Sequence, residues 1–301
     1  MSDVRFDDRV AIVTGAGGGL GRSHAMLLAS RGAKVVVNDL GGSLDGAGSD
    51  ASAAQKVVDE IKAAGGEAVA NTDGVDTAEG GQKIVQTAMD TWGRVDIVIN
   101  NAGILRDVSF HKMSVADWDA VMNVHLAGTF YVSHAAWPHL RGAGYGRIVN
   151  TTSAAGLYGN FGQANYAAAK LGIVGLTKTL AQEGFKKGIK ANVIAPVAKS
   201  RMTETILDEA TLSKLEPALV SPLVAHLCSE GCEDTGQTYA VGGGYISRVA
   251  VVEAAGALLS GDVTPEQVAA NWDEISDLSA AKPYGSAMEA VQVALTRVSK
   301  G

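Results

Sequence analysis

The stretch GRIVNTTSAAGLYGNFGQANYAAAKLGIVGLTKTLAQ, residues 146–182, passes from a strand-like run through a glycine-rich loop into a long run of small and apolar residues. This pattern predicts a strand, a loop and a buried helix. Tyr166 and Lys170 are one helical turn apart on the same face, and the loop can bring Ser153 beside them. A nearby ammonium favours the phenolate, so such a pair can act as a general acid or base. A solvent-exposed tyrosine and a solvated lysine are the alternative, and the rest of the chain must decide.

A glycine-rich turn, TGAGGGLG at residues 14–21, follows a predicted strand at residues 9–13 and precedes a predicted helix. Such a turn lets main-chain N–H groups approach a pyrophosphate, and here they belong to Gly15, Gly19, Leu20 and Gly21. The next strand, residues 33–38, ends at Asp39, roughly twenty residues beyond the glycines, where a carboxylate can accept ribose hydroxyl groups. The same carboxylate would repel a 2′-phosphate. The pattern therefore predicts NAD rather than NADP.

Strands and helices alternate along residues 9–245, which predicts a Rossmann-type α/β fold, a doubly wound parallel sheet with helices on both faces. Ligands of such sheets bind at the carboxyl ends of the strands. Predicted strand ends carry Asp39, Asp73 with Val75 at the adenine edge, Asn101 with Gly103, and Ser153. We expect these residues to lie around one crevice.

Composition narrows the class of protein further. A length of 301 residues suits one large α/β domain or two small ones. The net charge of −7 does not suggest a nucleic-acid partner. The acidic N-terminal residues do not resemble a secretory leader, and the apolar run at residues 249–259 is too short to cross a bilayer. Cys228 and Cys232 lack the spacing of redox or zinc motifs, so no metal is predicted. We expect a cytoplasmic protein with no membrane partner.

The glycine turn, NNAG at residues 100–103, Ser153 and the Tyr166-x-x-x-Lys170 pair together resemble the motif set of the classical short-chain dehydrogenases/reductases. The stretches VVVNDLGG, NNAGILRD, YGNFGQANYAAAKLG and IAPVAKSRMT resemble more closely the (3R)-hydroxyacyl-CoA dehydrogenase part of the peroxisomal multifunctional enzymes of type 2. The resemblance implies NAD-dependent oxidation of a 3-hydroxyacyl-CoA to a 3-oxoacyl-CoA, in fatty-acid or sterol side-chain β-oxidation, by a homodimer or homotetramer. The alternatives are a 17β-type hydroxysteroid dehydrogenase, a 3-oxoacyl thioester reductase and a non-catalytic NAD-binding scaffold.

The resemblance also implies a role for each catalytic residue. Tyr166 would remove the hydroxyl proton, Lys170 would bind the nicotinamide ribose and lower the pKa of Tyr166, and Ser153 would hydrogen-bond the substrate oxygen. His125 stands where many members of the family use an asparagine in a proton relay, although a histidine that is hydrogen-bonded in the core fits the sequence equally well. Pro196 would contact the nicotinamide amide.

A mobile substrate lid is expected at residues 201–215, with Thr203 near the amide or pyrophosphate. Met202, Tyr158 and Phe161 are candidates for an apolar pocket that holds an acyl or steroid body, or else for ordinary packing.

Residues 246–301 extend beyond the predicted dehydrogenase domain of residues 1–245. Thr264-Pro265-Glu266-Gln267 is typical of a capped helix start, and Ser286 begins a second predicted helix. Neither helix can bury its apolar stripe alone. We therefore predict a helical C-terminal extension that packs on the main domain or on a partner subunit.

Overall fold

A computed structural model describes residues 3–43, 45–198 and 208–299 of the chain. It divides into two compact units, Met1–Arg248 and Val249–Gly301. The first unit carries the motifs predicted for the dinucleotide site and the catalytic site, of which Thr203 lies outside the described residues together with Met202.

The first unit contains an eight-stranded sheet in the order β3-β2-β1-β4-β5-β6-β7-β8. Every described pairing from β3 to β7 is parallel. The strands are β1 (Val10–Thr14), β2 (Lys34–Asn38), β3 (Glu67–Asn71), β4 (Ile97–Asn100), β5 (Gly146–Thr151), β6 (Ile189–Pro196), β7 (Thr238–Gly242) and β8 (Tyr245–Val249). The strand order reverses between β1 and β4, which creates the crevice where ligands of open α/β sheets bind. The predicted Rossmann-type fold class is confirmed.

Helices cover both faces of the sheet, and for this reason β1, β4 and β5 are buried along their whole length. The helices of this unit are α1 (Gly19–Ser30), α2 (Ser52–Ala63), α3 (Ala78–Trp92), α4 (Val115–Met122), α5 (Gly128–Ala143), α6 (Ala154–Tyr158), α7 (Ala164–Gly184), α8 (Glu209–Leu212) and α9 (Ser221–Cys228). One large core cluster includes residues of α1, α2 and α9, and a second includes residues of α3 and α5.

Two pairs of buried asparagines join neighbouring strands near their carboxyl ends. Asn38 of β2 lies opposite Asn71 of β3, and its amide donates to the Asn71 side-chain oxygen at 2.8 Å. Asn100 of β4 lies opposite Asn150 of β5 and makes the same contact at 2.8 Å. Asn150 in turn donates to the Thr177 hydroxyl of α7, also at 2.8 Å. These contacts help to satisfy the polar atoms of asparagines that are buried in the sheet.

A π-helical turn and an eighth strand are among the elements of the first unit that were not predicted. A π-helical turn, Asn123–Ala127, joins α4 to α5 and carries His125. The eighth strand, β8, follows the glycines at residues 242–244 and carries the sheet to Val249.

The second unit contains β9 (Val252–Glu253) paired with β10 (Lys282–Pro283) and the helices α10 (Pro265–Ala270), α11 (Trp272–Ser276) and α12 (Ala287–Val298). Both predicted helix starts are confirmed, since Thr264 and Gln267 form a capping box and Ser286 caps α12. The helix that begins after Thr264 ends at Ala270, and Asn271 separates it from α11. None of the described side chains in residues 249–299 is buried. That this unit packs on the main domain or on a partner stays a prediction.

Across the described parts of the chain, no helix combines the length and the apolar character needed to span a bilayer.

Candidate active site

The loop after β1 is held against the loop after β4 by Asn101. The Asn101 amide donates to the main-chain oxygens of Thr14 at 3.2 Å and Gly15 at 3.0 Å, and the Asn101 N–H donates to the Thr14 hydroxyl at 3.0 Å. Gly15 has a φ of +62°, and a Cβ there would lie 2.7 Å from the Ala102 Cα. A Cβ on Gly21 would lie 2.1 Å from the Gly15 oxygen. These positions therefore require glycine.

The glycine turn leaves the beginning of α1 open. Gly18 precedes the helix and Gly19 begins it, and a Cβ at either position would meet no atom within 4 Å. No side chain among the described residues caps this helix, so its first N–H groups are available to a ligand. The helix dipole favours an anion at this end. The turn, including Leu20, thus fits the pyrophosphate of a dinucleotide.

Asp39, directly after β2, is fixed by two main-chain N–H groups. One carboxylate oxygen accepts from Gly17 and the other from Gly41, each at 2.7 Å. A carboxylate has about four lone-pair sites, so both oxygens keep capacity for ribose hydroxyl groups. The sequence prediction for Asp39 is therefore compatible with the geometry.

Asp73 and Val75 follow β3 on the adjacent side of the crevice. The Asp73 carboxylate accepts from the Asn71 amide at 2.8 Å, and the Asp73 main-chain oxygen accepts from Asn38 at 2.9 Å. Val75 is buried and lies near Thr14, the last residue of β1. Both residues therefore lie at the same edge of the sheet as the glycine turn.

Ser153, Tyr166 and Lys170 form one cluster at the carboxyl end of β5. Ser153 caps α6 and accepts the Ala155 N–H at 3.2 Å, while Tyr166 lies in the first turn of α7 and is 8% exposed. The Lys170 Nζ lies 5.4 Å from the centre of the Tyr166 ring and donates to the Thr151 main-chain oxygen at 2.7 Å. The structure thus brings together the three residues that the sequence singled out.

Burial dominates the electrostatics of this cluster. It raises the pKa of Tyr166, an effect that the hydrogen bond with Ser153 opposes and the negative charge of Asp107 reinforces. Burial also lowers the pKa of Lys170 to about 7. Desolvation is thus the largest influence on both groups, and a role for Lys170 in lowering the pKa of Tyr166 stays a prediction.

His125 contacts the main chain of Ile104 rather than a proton donor of the catalytic cluster. Its Nε2 lies 2.8 Å from the Ile104 oxygen and 3.1 Å from the Ile104 nitrogen, and its Nδ1 has no hydrogen-bond partner among the described residues. The ring meets the Tyr166 ring edge-on at 5.1 Å. Burial and the charge of Lys170 hold the pKa of His125 well below its usual value. Participation in a proton relay stays a prediction.

Gly103 lies directly beneath the His125 ring, since a Cβ on Gly103 would lie 2.3 Å from the His125 Cε1. Pro196 is the last residue of β6. Tyr158 and Phe161 are 75% and 90% exposed, and because Met202 lies outside the described residues, an apolar pocket formed by these three side chains stays a prediction. Of the predicted lid, residues 201–207 lie outside the described part of the chain.

Asn165 was overlooked in the sequence, although it precedes Tyr166 directly. It is fully buried, donates to the main-chain oxygens of Arg106 at 3.1 Å and Asp117 at 3.2 Å, and accepts the Tyr166 N–H at 2.8 Å. It therefore holds the segment after β4 against the start of α7. A buried polar residue in an otherwise apolar helix was the available signal.

A dinucleotide turn beside a serine, a tyrosine and a lysine at the carboxyl edge of one parallel sheet defines an oxidoreductase site. The family model described as short chain dehydrogenase matches residues 9–210, and the chain belongs to this family of enzymes. Members of the family use NAD or NADP.

Three individual proteins are similar to nearly the whole chain. The chain is 53% identical over 296 residues to Peroxisomal multifunctional enzyme A of Dictyostelium discoideum, covering 98% of this chain and 66% of the relative. It is 55% identical over 278 residues to the putative short-chain type dehydrogenase/reductase Rv0148 of Mycobacterium tuberculosis, covering 92% and 97%. The solved full-length peroxisomal multifunctional enzyme type 2 of Drosophila melanogaster superposes with a TM-score of 0.85 at 42% identity, covering 98% of this chain and 50% of that chain.

These names correct one prediction. The cytoplasmic location expected from the sequence is contradicted, because several relatives that match nearly the whole chain are named as peroxisomal enzymes. The sequence argument had relied on the lack of a secretory leader or membrane span, and neither feature distinguishes the cytoplasm from an organelle. This chain spans only part of the length of those multifunctional relatives.

Proposed function

We propose that the protein oxidises a (3R)-hydroxyacyl-CoA to the 3-oxoacyl-CoA with NAD, in fatty-acid or sterol side-chain β-oxidation. The observation that carries the proposal is the cluster of Ser153 with the buried Tyr166 and Lys170 at the same sheet edge as the glycine turn. A protein that only bound a nucleotide would not need a proton-transfer group there. The hydroxyacyl-CoA substrate is supported by relatives named as multifunctional and hydratase-dehydrogenase-epimerase enzymes.

The preference for NAD rests on Asp39. Its carboxylate faces the glycine turn, as the contact with the Gly17 N–H shows, and its negative charge disfavours a phosphate on the adenosine ribose. The bound nicotinamide supplies the acceptor for the hydride that leaves the substrate carbon.

Side chains of the protein transfer the proton of the substrate hydroxyl group and position the groups that take part. Tyr166 accepts the proton of the substrate hydroxyl group as the carbonyl forms, and Ser153 donates a hydrogen bond to the same substrate oxygen. Lys170 is anchored by its bond to Thr151, and this anchor fixes the ammonium beside the tyrosine ring. Proton transfer in the opposite sense reduces a 3-oxoacyl thioester.

One observation favours that reduction as a second candidate activity. Because burial raises the pKa of Tyr166, the phenol keeps its proton at neutral pH and is ready to donate it. A 3-oxoacyl-[acyl-carrier-protein] reductase of Synechocystis is 39% identical to this chain over 247 residues. Both directions must therefore be measured.

The test is NADH formation with (3R)- and (3S)-3-hydroxyacyl-CoA, with a 17β-hydroxysteroid as the competing substrate class. We expect turnover of the 3R thioester, a loss of roughly 100-fold or more in kcat for Tyr166→Phe, and little change for Tyr245→Phe, which alters an exposed tyrosine on β8. Preference for the steroid would replace the acyl-CoA proposal. Tight NAD binding without turnover of any of these alcohols would identify the protein as a scaffold.

We also propose that the protein is a homodimer or homotetramer, with the second unit packed on the main domain or on a neighbouring subunit. The exposed apolar side chains Val291, Leu295 and Val298 of α12 support this proposal, because such a stripe is stabilised by burial. Light scattering on the purified protein measures the oligomeric state directly. A monomer would contradict the proposal.

A further inference from the structure

The loop between β2 and α2 is a compact structure that we call the strap, defined by residues 41–43 and 45–50. Its neck is closed by the Asp50 N–H, which donates to the Leu40 main-chain oxygen at 3.1 Å. A Cβ on Gly41, which has a φ of +74°, would lie 2.1 Å from the Asp50 oxygen. The two sides of the neck therefore touch too closely to admit a side chain.

Ser43 organises the interior of the strap. Its N–H donates to the Ala47 main-chain oxygen at 2.8 Å, its hydroxyl accepts the Ala47 N–H at 3.1 Å, and its main-chain oxygen accepts the Gly46 N–H at 3.0 Å. Loops of this size with close ends and internal bonds behave as compact units rather than as free chain.

The outer end of the strap contacts the segment that follows β4. The Arg106 Nε donates to the Asp45 main-chain oxygen at 3.1 Å, and the Arg106 Nη1 lies 3.4 Å from the Asp117 carboxylate. A Cβ on Gly46 would lie 3.2 Å from the Ile104 Cδ1. The strap thus reaches residues that come from a different strand.

Sheet order shows what lies between these two loops. The strands run β2-β1-β4, so the strap leaves the strand on one side of β1, and Ile104 and Arg106 follow the strand on the other side. The glycine turn follows β1 itself. Asp39 ties the base of the strap to this turn, since its two oxygens accept from Gly41 and Gly17. A contact between the outer loops therefore crosses the edge at which the glycine turn lies.

We propose that the strap closes over the pyrophosphate of the bound dinucleotide and that Arg106 latches it, so that cofactor exchange requires the Arg106–Asp45 contact to open. The proposal rests on the proposed function only in taking the glycine turn as the dinucleotide site. Arg106 is a positioning residue that acts through the strap.

The first experiment measures release of NADH from Arg106→Ala by stopped-flow fluorescence. Loss of a hydrogen bond from a charged donor predicts release about tenfold faster or more. Lys112→Ala is the matched control, because Lys112 is an exposed cation on the same segment and its loss should change the rate by less than about twofold. An NADH release rate for Arg106→Ala equal to that of the wild type, with an unchanged melting temperature, would overturn the latch.

A second experiment locks the strap. The Cβ built on Gly46 lies 3.8 Å from the Ile104 Cβ, within the range of a disulfide. We expect the oxidised double variant G46C/I104C, loaded with NADH beforehand, to release it at least about tenfold more slowly than the reduced form, with dithiothreitol restoring the rate. Position 46 has a φ of +86°, which strains a cysteine there. The reduced double variant carries the same strain and is therefore the control. The native Cys228 and Cys232 are both buried, which limits competing disulfides.

Equal NADH release from the oxidised and reduced forms would show that the strap does not cover the cofactor. Both experiments measure NADH binding and not turnover. Inactivity toward hydroxyacyl-CoA together with a strap-dependent release rate would refute the proposed substrate and leave the strap standing. Turnover of hydroxyacyl-CoA together with an NADH release rate that does not depend on the strap would refute the strap proposal alone.

Discussion

The Lys170 ammonium donates a hydrogen bond to the Thr151 main-chain oxygen at 2.7 Å and so joins α7 to the carboxyl end of β5. The lysine side chain is buried, and this burial lowers its pKa to about 7. A charge that is held beside Tyr166 therefore carries a cost in stability at and below neutral pH.

Replacement of Lys170 should change how stability depends on pH. Between pH 7 and 10.5 the unfolded lysine binds its proton and the folded one does not, so the free energy of unfolding rises with pH across this window and is lowest below it. The full rise is at most on the order of 5 kcal/mol. Lys170→Met removes this pH dependence. Thermal melts at several pH values should therefore show that the melting temperature of the wild type rises with pH relative to that of the variant.

Lys186→Met is the control for the Lys170 experiment, because Lys186 is an exposed lysine just beyond the same helix. Its melting curve should follow that of the wild type at every pH. If the curves of Lys170→Met and the wild type ran parallel, the lysine would not be desolvated in the folded protein.

The two directions of the reaction should respond differently to pH. Burial raises the pKa of Tyr166, so oxidation, which needs the deprotonated phenol, should accelerate from about pH 6 to about pH 9, while reduction should not. Asp107 also raises the pKa of Tyr166, so Asp107→Asn should shift the oxidation profile to lower pH. Steady-state kcat/KM profiles in both directions measure this. An oxidation rate independent of pH would contradict the assignment of Tyr166 as the base.

Cofactor preference should depend on the charge of Asp39. Asp39→Asn keeps an oxygen that can accept an N–H from the neighbouring main chain but removes the charge that repels a 2′-phosphate. We expect the ratio of kcat/KM for NADP to that for NAD to rise by about tenfold or more. Asp76→Asn, at an exposed position after β3, should leave the ratio unchanged. A similar ratio in both variants would remove Asp39 from the specificity determinants.

Gly103 and His125 should be energetically coupled. A Cβ at position 103 would lie 2.3 Å from the His125 Cε1, so Gly103→Ala should destabilise the protein by about 1–3 kcal/mol. In a His125→Ala background the added methyl group meets empty space, so its cost should fall by about 1 kcal/mol or more. Urea unfolding of the wild type, the two single variants and the double variant measures this coupling energy.

Gly142→Ala is the control for the glycine substitution, since a Cβ at that position meets nothing within 4 Å. It should not destabilise the protein. Additive effects at positions 103 and 125 would show that the ring does not press on the main chain of Gly103.

The sequence predicted well those parts of the site that depend on local pattern. Gly15 and Gly21 marked a strand–turn–helix junction, and the spacing of Tyr166 and Lys170 placed both on one helix face. Each of these signals lies within a few residues, so the periodicity of one element is enough to find it.

The features that sequence reasoning missed depend on contacts between distant segments. The π-helical turn at His125 leaves no mark in a 3.6-residue periodicity, and β8 lacks an apolar stripe because its residues are exposed or half-exposed. The direction of the pKa shift of Tyr166 follows from burial, which only the folded chain defines. The contact of Arg106 with Asp45 joins two loops from different strands.

The paired asparagines have a consequence for how the sheet assembles. Parallel strands such as β1 and β4 are buried along their whole length, so no alternation of buried and exposed side chains distinguishes one alignment from a slipped one. Asn38 lies opposite Asn71 and Asn100 lies opposite Asn150, so a slip of one residue along either strand pair would separate a buried donor from its acceptor. The two asparagine pairs therefore favour the native alignment of their strands over a slipped one.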